Sequence, residues 1–552
     1  GMFATLLDAV DYAATGQSGM NFFDGRGNLD HVLSYSALQS EARQTGARLL
    51  GRGLVPGQRV GLVAETEGDF VRAFVGCMFA GLVPCPMPLP SAFGHRGSYS
   101  DQIQRIAKVA EISAVLCAPD YLDWINEALA AKDLDLRFVG SVAELDTTAE
   151  AALPDAPDPD ALAYLQFSSG TTKAPKGIAI SHRALMANIE GMARHKLGIG
   201  SEDRGVNWLP FYHDMGLVGC VLLPIGAQMS IDYLATGNFI RRPGVWLKMI
   251  SERRATLSYA PSFGYDLASR RPGDVDSLDL SSWRIAGIGG DMVKTANLAR
   301  FSETFAPIGF RASSFLASYG MAELSLGLTF AETGGGCRSR RLGLDQLDIG
   351  EGVETDLGRG RRFAICGSPL PKHEIELRSE TGEPVPDGRV GTIFARGPSV
   401  MQGYFNDPVA TAEALHADGW LNTGDLGVII DGELIVTGRA KDLIIINGRN
   451  IWPQDIEWTI EHHISAARES GVVAFGQDAG EDDEEEIAVV IECRLPEEAR
   501  PELISDTDAL VRRTHGIAPR VILSKPGLLP RTTSGKLSRA KARAMYLSGS
   551  FA

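Results

Sequence analysis

The sequence has no cysteine arrangement that would build a metal site or a disulfide framework. Its seven cysteines (Cys77, Cys85, Cys117, Cys220, Cys337, Cys366 and Cys493) are scattered, with no CxxC pair among them. This excludes a zinc-ribbon type of site, and the odd count predicts a reducing compartment, the cytoplasm. No apolar run reaches membrane-spanning length. The nearest, 70–89, is broken by Arg72, Gly76, Gly81 and three prolines, so no stable membrane insertion is expected. A secretory leader is not expected either, because 3–12 is short, carries Asp8 and Asp11, and lacks a basic start. Internal repeats and low-complexity tracts are absent. Positive charge is in deficit, with 53 Lys and Arg against 69 Asp and Glu and a net charge of −16. A general nucleic-acid binder would be basic, so nucleic acid is not expected as a partner.

One stretch lacks the opposite sign. Residues 511–552 contain no Asp or Glu, yet carry Arg512, Arg513, Arg520, Lys525, Arg531, Lys536, Arg539, Lys541 and Arg543. Acidic residues dominate 478–508, including the run Glu481-Asp482-Asp483-Glu484-Glu485-Glu486. The basic stretch reads either as a solvated face or as a docking surface for an acidic partner.

With 552 residues, 44% of them hydrophobic, the chain exceeds one ordinary domain and can bury large cores. Through the first three quarters, short β-type runs alternate with helical patterns. Residues 60–64 read as a buried strand, 70–80 as a buried helix and 114–117 as the next strand. The loop Pro154-Asp155-Ala156-Pro157-Asp158-Pro159 leads into a strand at 163–167. Such alternation predicts a layered α/β region with mostly parallel sheets. After Gly438 the composition shifts. Strands at 472–475, 487–491 and 521–523 and a helix near 503–515 make a small α+β unit. The expected organisation is therefore 2–438 as a large N-terminal α/β region and 439–552 as a small, mobile C-terminal domain.

The sharpest chemical segment is Tyr164-Leu165-Gln166-Phe167-Ser168-Ser169-Gly170-Thr171-Thr172-Lys173-Ala174-Pro175-Lys176-Gly177. A strand runs directly into hydroxyls, a glycine and lysines. Backbone N–H groups in such a loop can form a nest for phosphate oxygens, and the side chains add donors and charge. The spacing is not that of a Walker A loop, and taken alone the segment is more often an ordinary turn. It is accompanied by Trp208-Leu209-Pro210-Phe211-Tyr212-His213-Asp214-Met215-Gly216, Ser318-Tyr319-Gly320-Met321-Ala322-Glu323, Trp420-Leu421-Asn422-Thr423-Gly424-Asp425, Gly438-Arg439-Ala440-Lys441-Asp442, and Pro530-Arg531-Thr532-Thr533-Ser534-Gly535-Lys536.

In this order and at these intervals the segments resemble the core motifs of the adenylate-forming superfamily, which includes acyl-CoA synthetases, peptide-synthetase adenylation domains and firefly luciferase. The resemblance covers nearly the whole chain. It implies ATP and Mg²⁺ as cofactors. Ser168, Ser169, Gly170, Thr171, Thr172 and Lys173 would hold phosphates. Gly289, Gly290, Asp291, Ser318, Tyr319, Gly320 and Met321 would bind the nucleotide, with Tyr319 offering its ring to adenine. Asp425 would bind the ribose, and Arg439 ribose or phosphate oxygens. Glu323 would be the Mg²⁺ ligand, as hard oxygen donors suit this ion. Lys536 would be the catalytic cation, and Lys441 would lie at a hinge. His213, Met215 and Gly216 would lie near the reacting carboxylate and acyl pocket. Read singly, each has an ordinary alternative: a core tyrosine, a surface acid, a turn aspartate, a flexible lysine.

Three features resemble the fatty acyl-AMP ligase branch in particular. Gly448-Arg449-Asn450-Ile451-Trp452-Pro453-Gln454-Asp455-Ile456-Glu457 nearly matches a segment of that branch, with Trp452 where a tyrosine is usual. Pro261-Ser262-Phe263-Gly264-Tyr265 resembles a segment near its acyl tunnel, which implies substrate contacts for Phe263 and Tyr265. The 44 positions from Glu323 to Gly367 leave room for an insertion at about 337–362. In that branch an insertion here packs between the domains and disfavours transfer to free CoA. The implied activity is ATP-dependent conversion of a fatty acid to acyl-AMP with release of pyrophosphate, then transfer to the phosphopantetheine thiol of an acyl carrier protein. Carrier proteins are acidic, which would give the basic tail a role. The alternatives are an acyl-CoA synthetase using free CoA and a non-catalytic adenylate-binding protein.

Overall fold

The computed structural model describes residues 3–90, 96–130, 133–167, 175–290, 292–343, 349–352, 361–439, 442, 444–446, 449–478, 485–532 and 536–551. Two sheets follow from the strand–helix alternation. In the first, Val83–Met87, Arg59–Val63, Ile112–Leu116 and Phe138–Gly140 lie side by side, all parallel. The run read as a buried helix is Gly68–Phe79. It is apolar on all sides because it is covered on all sides: Phe70, Phe74, Val75 and Met78 are all buried in the main core.

The larger sheet has nine strands in the order Ser368–Pro369, Gly327–Phe330, Phe315–Gly320, Ile285–Ile288, Leu257–Ala260, Arg204–Asn207, Ser230–Leu234, Gly19–Phe23 and Leu29–Ser34. From Phe315–Gly320 to Gly19–Phe23 every pairing is parallel. Antiparallel strands close both edges. A parallel sheet must be covered on both faces. Accordingly Ile285, Ile288, Leu316 and Val206 are buried, together with the aromatic cluster of Trp246, Trp283, Phe301 and Phe315.

Not all of the region before Gly438 is parallel. Glu374–Arg378, Gly391–Arg396, Leu421–Ile430 and Glu433–Arg439 form a purely antiparallel sheet. The local reason lies between the last two strands, where Asp431 and Gly432 have φ of 53° and 79°. Two successive left-handed residues make the tight turn that matches strand twist. Towards the C-terminus, Val472–Asp478, Glu485–Glu492 and Pro519–Ser524 form a separate sheet. It is backed by Pro453–His463 and Arg500–His515, and Ile456, Ile460, Ile487, Val489, Leu503 and Val511 give it a core of its own. Among the described residues no helix is long and apolar enough to cross a membrane.

Among the described residues the C-terminal part touches the rest at several places. Trp452 packs with Phe363, Ile365, Leu426 and Val428. Gln454 donates to the Thr437 carbonyl at 3.1 Å. Lys294 Nζ reaches both Glu461 carboxylate oxygens, at 2.9 and 3.1 Å.

Candidate active site

Ligands bind open parallel sheets in the crevice beyond the carboxyl ends of the strands. Here that edge carries Gly289 and Gly290, just after Ile285–Ile288, and Ser318, Tyr319 and Gly320, which end Phe315–Gly320. All five line one cavity of about 820 Å³, its mouth included. Gly320 allows a close approach: a Cβ there would fall 1.8 Å from the Leu326 carbonyl oxygen.

Tyr319 is fixed by its hydroxyl, which donates to Asp425 Oδ2 at 2.5 Å. Asp425 is held in turn by its own N–H, which donates to the Thr423 hydroxyl at 3.1 Å. Arg439, directly across the ladder from Asp425, places Nε 3.7 Å from Asp425 Oδ1. Tyr319 and two facing residues of a hairpin about a hundred positions later thus form one polar group beside the cavity mouth.

Lys536 comes to the same place from the C-terminal part. Its Nζ is 3.5 Å from where a Cβ on Gly290 would stand. Its carbonyl accepts from the Thr532 N–H at 2.6 Å and its N–H donates to the Thr532 hydroxyl at 3.3 Å. These two bonds pin the base of the loop that presents the ammonium. Burial raises the Asp214 carboxyl above the ordinary range, and the Lys536 charge acts against that rise. Glu323 is pushed up to about 7, first by burial and then by the negative field of Asp214 and Asp425. A desolvated carboxylate crowded by like charges stays ionised readily only when a cation joins it. Glu323 therefore suits one divalent ion whose other ligands come from substrate phosphates and water.

From its mouth the cavity follows the parallel strands back towards their starts. Tyr259 and Ser258 line it midway, then Leu257, Gly205 and Ile231 near the beginnings of their strands. Four residues of strand span roughly 13 Å. The opposite wall is Met215–Leu222, a π-helical segment that contributes Met215, Gly219 and Cys220. Wide π turns are frequent at functional sites. The deep part is apolar, lined by Met192, Leu197, Ile199, Met229, Ile231 and Leu257. The arrangement can hold a molecule with a polar head at the strand ends and an apolar tail between sheet and helix.

Several residues implied by the sequence stand elsewhere. Ser168 to Lys173, Asp291 and Lys441 lie outside the described residues. Met215 lines the cavity, but His213 and Gly216 do not. His213 sits two residues before the wall, its ring 4.9 Å from that of Tyr212. Gly216 serves packing, since a Cβ there would fall 1.9 Å from the Pro210 carbonyl oxygen. Met321 lies just past the mouth, its N–H donating to the Leu326 carbonyl at 2.9 Å. Phe263 packs edge-on against Trp208 at 5.8 Å. Tyr265 is turned into the core, where its hydroxyl donates to the Gly287 carbonyl at 2.8 Å and its ring meets Trp246, Phe301 and Phe315. Neither aromatic residue lines the cavity, because Ser262–Arg270 turns its apolar face to the core. Asp214, Gly219, Tyr259 and the deep apolar lining were missed as site residues. They are scattered over many elements, and only Asp214 and Gly219 stand within or beside a quoted segment.

Comparison with known proteins agrees with this geometry. A family described as AMP-binding enzyme matches residues 13–405. A Caulobacter vibrioides protein whose name places it provisionally among acyl-CoA synthetases is 45% identical, across 100% of this chain and 96% of its own length. The long-chain-fatty-acid–AMP ligase FadD32 of Mycolicibacterium smegmatis is 31% identical, across 96% of this chain and 91% of its own. Among solved structures, a chain from work on fatty acyl-adenylate ligases of E. coli and L. pneumophila superposes with a TM-score of 0.92 at 40% identity, covering 100% of this chain and 98% of that one. The L. pneumophila ligase in complex with acyl adenylate and pyrophosphate matches with a TM-score of 0.74 at 28% identity, covering 99% and 96%.

Proposed function

Because the chain belongs to the AMP-binding enzyme family, in its fatty acyl-AMP ligase branch, we propose that it activates a fatty acid with ATP as acyl-AMP, releases pyrophosphate, and passes the acyl group to a carrier-protein thiol. One observation carries the substrate class: the cavity is continuous from the polar mouth at Tyr319 and Gly290 to the apolar end at Met229 and Ile231. The acid's carboxylate then lies at the mouth beside Lys536, and its alkyl chain lies between sheet and π-helical wall. Tyr319 takes adenine, and Asp425 with Arg439 takes the ribose. A fatty acid is already ionised at neutral pH, so attack on the α-phosphorus needs no general base. It needs relief of the repulsion between two anions and stabilisation of charge on the phosphoryl oxygens. Lys536 supplies one cation. Mg²⁺ held by Glu323 supplies a second when bound, polarising phosphate oxygens as a Lewis acid.

The work is divided between a large region up to Gly438 and a mobile part from Arg439 onward, with the turn about Lys441. The position of Lys536 over Gly290 suits the adenylating state; transfer to a thiol requires the small part to swing away. The basic charge of 511–552 fits an acidic carrier protein, apart from Arg539, whose guanidinium pairs inward with Glu457 and Asp442. The test is mass spectrometry of products from ATP, a panel of fatty acids, and either free CoA or a phosphopantetheinylated carrier protein. Acyl-AMP together with acyl-carrier, and no acyl-CoA, is the expected result.

The name of the Caulobacter relative favours one second reading, a synthetase using free CoA. The hairpin Ser339–Leu342 with Arg361–Ala364 bears on it. Fully buried Leu342 shares a cluster with Trp452, and Ile349 packs beside it. The insertion thereby joins the large region to Trp452 of the mobile part, and such contact opposes rotation. Deleting 342–358 is expected to leave acyl-AMP formation within about threefold of the parent, since loop closure changes only slowly with length, and to allow acyl-CoA to appear. Acyl-CoA yield at matched acyl-AMP formation is the measurement; efficient CoA-thioester formation by the parent would establish the second reading.

Gly219 gives a further expectation. It faces the cavity, and a Cβ there would meet only Leu326 Cδ2, at 3.2 Å. Gly219→Leu should block the middle of the cavity. Its kcat/KM for long acids should fall about a hundredfold or more, while short acids are spared, as a pocket discriminates tenfold or more per methylene. Pyrophosphate release across chain lengths reads this directly.

A further inference from the structure

At its deep end the cavity is closed by one short stretch of chain. After the helical turn Gly191–Lys196 the backbone passes through Leu197 and Ile199 before entering Arg204–Asn207. Both side chains line the cavity. Leu197 is buried, whereas Ile199 is partly exposed, so Ile199 has cavity on one side and solvent on the other.

A single guanidinium holds this stretch. Arg284, just before the strand Ile285–Ile288, donates to the Leu197 carbonyl at 3.0 Å and the Gly198 carbonyl at 3.2 Å. It also pairs with both carboxylate oxygens of Asp203, at 2.9 and 2.8 Å. Asp203 accepts further from the Thr256 hydroxyl at 2.7 Å and the Gly200 N–H at 2.8 Å. From the other side, the Leu197 and Ile199 N–H groups donate to the Met192 and Ala193 carbonyls, each at 2.8 Å. The planar fork of an arginine can tie several acceptors at once, which a lysine cannot do. Exposed ion pairs hold little, but the Asp203 side chain is only 9% exposed. The two ends of 197–203 are thereby fixed to the strand that begins at Ile285.

We infer that residues 197–203, latched by Arg284, form the distal wall that limits acyl-chain length, with Ile199 as the length-determining side chain and Arg284 and Asp203 as positioning residues. The inference rests on the reading of the cavity as the acyl pocket. Chains that end short of Ile199 leave the wall undisturbed. Longer ones must displace it, and the latch opposes that displacement.

The test compares kcat/KM for pyrophosphate release, over saturated acids from hexanoate to stearate, in the parent and in Ile199→Ala, Ile199→Trp and the double variant Arg284→Gln with Asp203→Asn. The double variant removes both partners, so that neither charge is left buried alone. Ile199→Ala is expected to raise the ratio of long-chain to short-chain kcat/KM about tenfold, and Ile199→Trp to lower it by a similar factor. The double variant should relax the upper length limit while short acids keep near-parental turnover. An unchanged length profile in both Ile199 variants overturns the wall. Proportional loss at every chain length in the double variant overturns the latch and leaves Arg284 a plain structural role. A parent that releases no pyrophosphate with any acid overturns the acyl reading itself, and this inference with it.

Discussion

Lys536→Ala is expected to lower the rate of acyl-AMP formation on the order of a hundredfold or more, with the fold and ATP binding retained. The reaction brings a carboxylate onto a phosphate, and a cation beside both is worth most where water is excluded. Nζ of Lys536 stands at Gly290, on the rim of a cavity that also holds Asp214 and Met215. Lys536 meets Thr532 through its backbone N–H and carbonyl, so truncating the side chain leaves those bonds in place. Lys536→Arg should recover little, since a guanidinium differs from an ammonium in shape and hydration. Pyrophosphate release at saturating ATP and fatty acid is the measurement, with nucleotide binding followed separately. Near-parental release by the alanine variant would remove Lys536 from the chemistry.

The second large effect concerns Glu323 and Mg²⁺. Its carboxyl is pushed up to about 7, chiefly by burial. Mg²⁺ joins the ionised form, so protons and metal compete. As pH falls below about 7, the Mg²⁺ concentration needed for half-maximal rate should rise about tenfold per pH unit; above that value it should level off. Glu323→Gln should abolish this pH dependence and reduce adenylation by about a hundredfold. Stability should move the opposite way. A carboxyl whose folded pKa lies above its unfolded value favours the fold while protonated, and that advantage is lost as pH rises through the folded value. At pH 8, without Mg²⁺, the ionised Glu323 therefore weakens the fold, and Glu323→Gln should raise Tm. Thermal melts and Mg²⁺ titrations at several pH values decide both points. A pH-independent Mg²⁺ requirement in the parent would take Glu323 out of the metal site.

Much of the site was legible because the adenylating chemistry relies on side chains that sit in short, recognisable segments. Tyr319, Asp425, Arg439 and Lys536 were all named from such segments, and the structure brings them near Gly290 at the cavity mouth. The acyl contacts were less legible. Tyr265 shares a segment with Phe263, yet the helix carrying both turns Tyr265 into the core, where the Gly287 carbonyl receives its hydroxyl. Which face of a helix is buried depends on what lies against it, and here that is the cluster of Trp246, Phe301 and Phe315.

By itself the sequence determined the alternating α/β layers and the C-terminal α+β unit, and its ordered segments implied the candidate adenylate-binding groups. Each is a local matter: hydrophobic period, turn residues, and polar side chains within a few positions of one another. Tertiary structure alone decided the apolar cavity and its floor. Met192, Gly205, Met229, Ile231 and Leu257 come from separate elements and have no common spacing; they meet because parallel strands far apart in the sequence lie side by side. It also decided that Arg284, an unremarked arginine in the sequence, ties down the stretch that carries Leu197 and Ile199. Its partners are Asp203 and two backbone carbonyls 86 to 87 positions earlier, and backbone acceptors carry no side-chain signature.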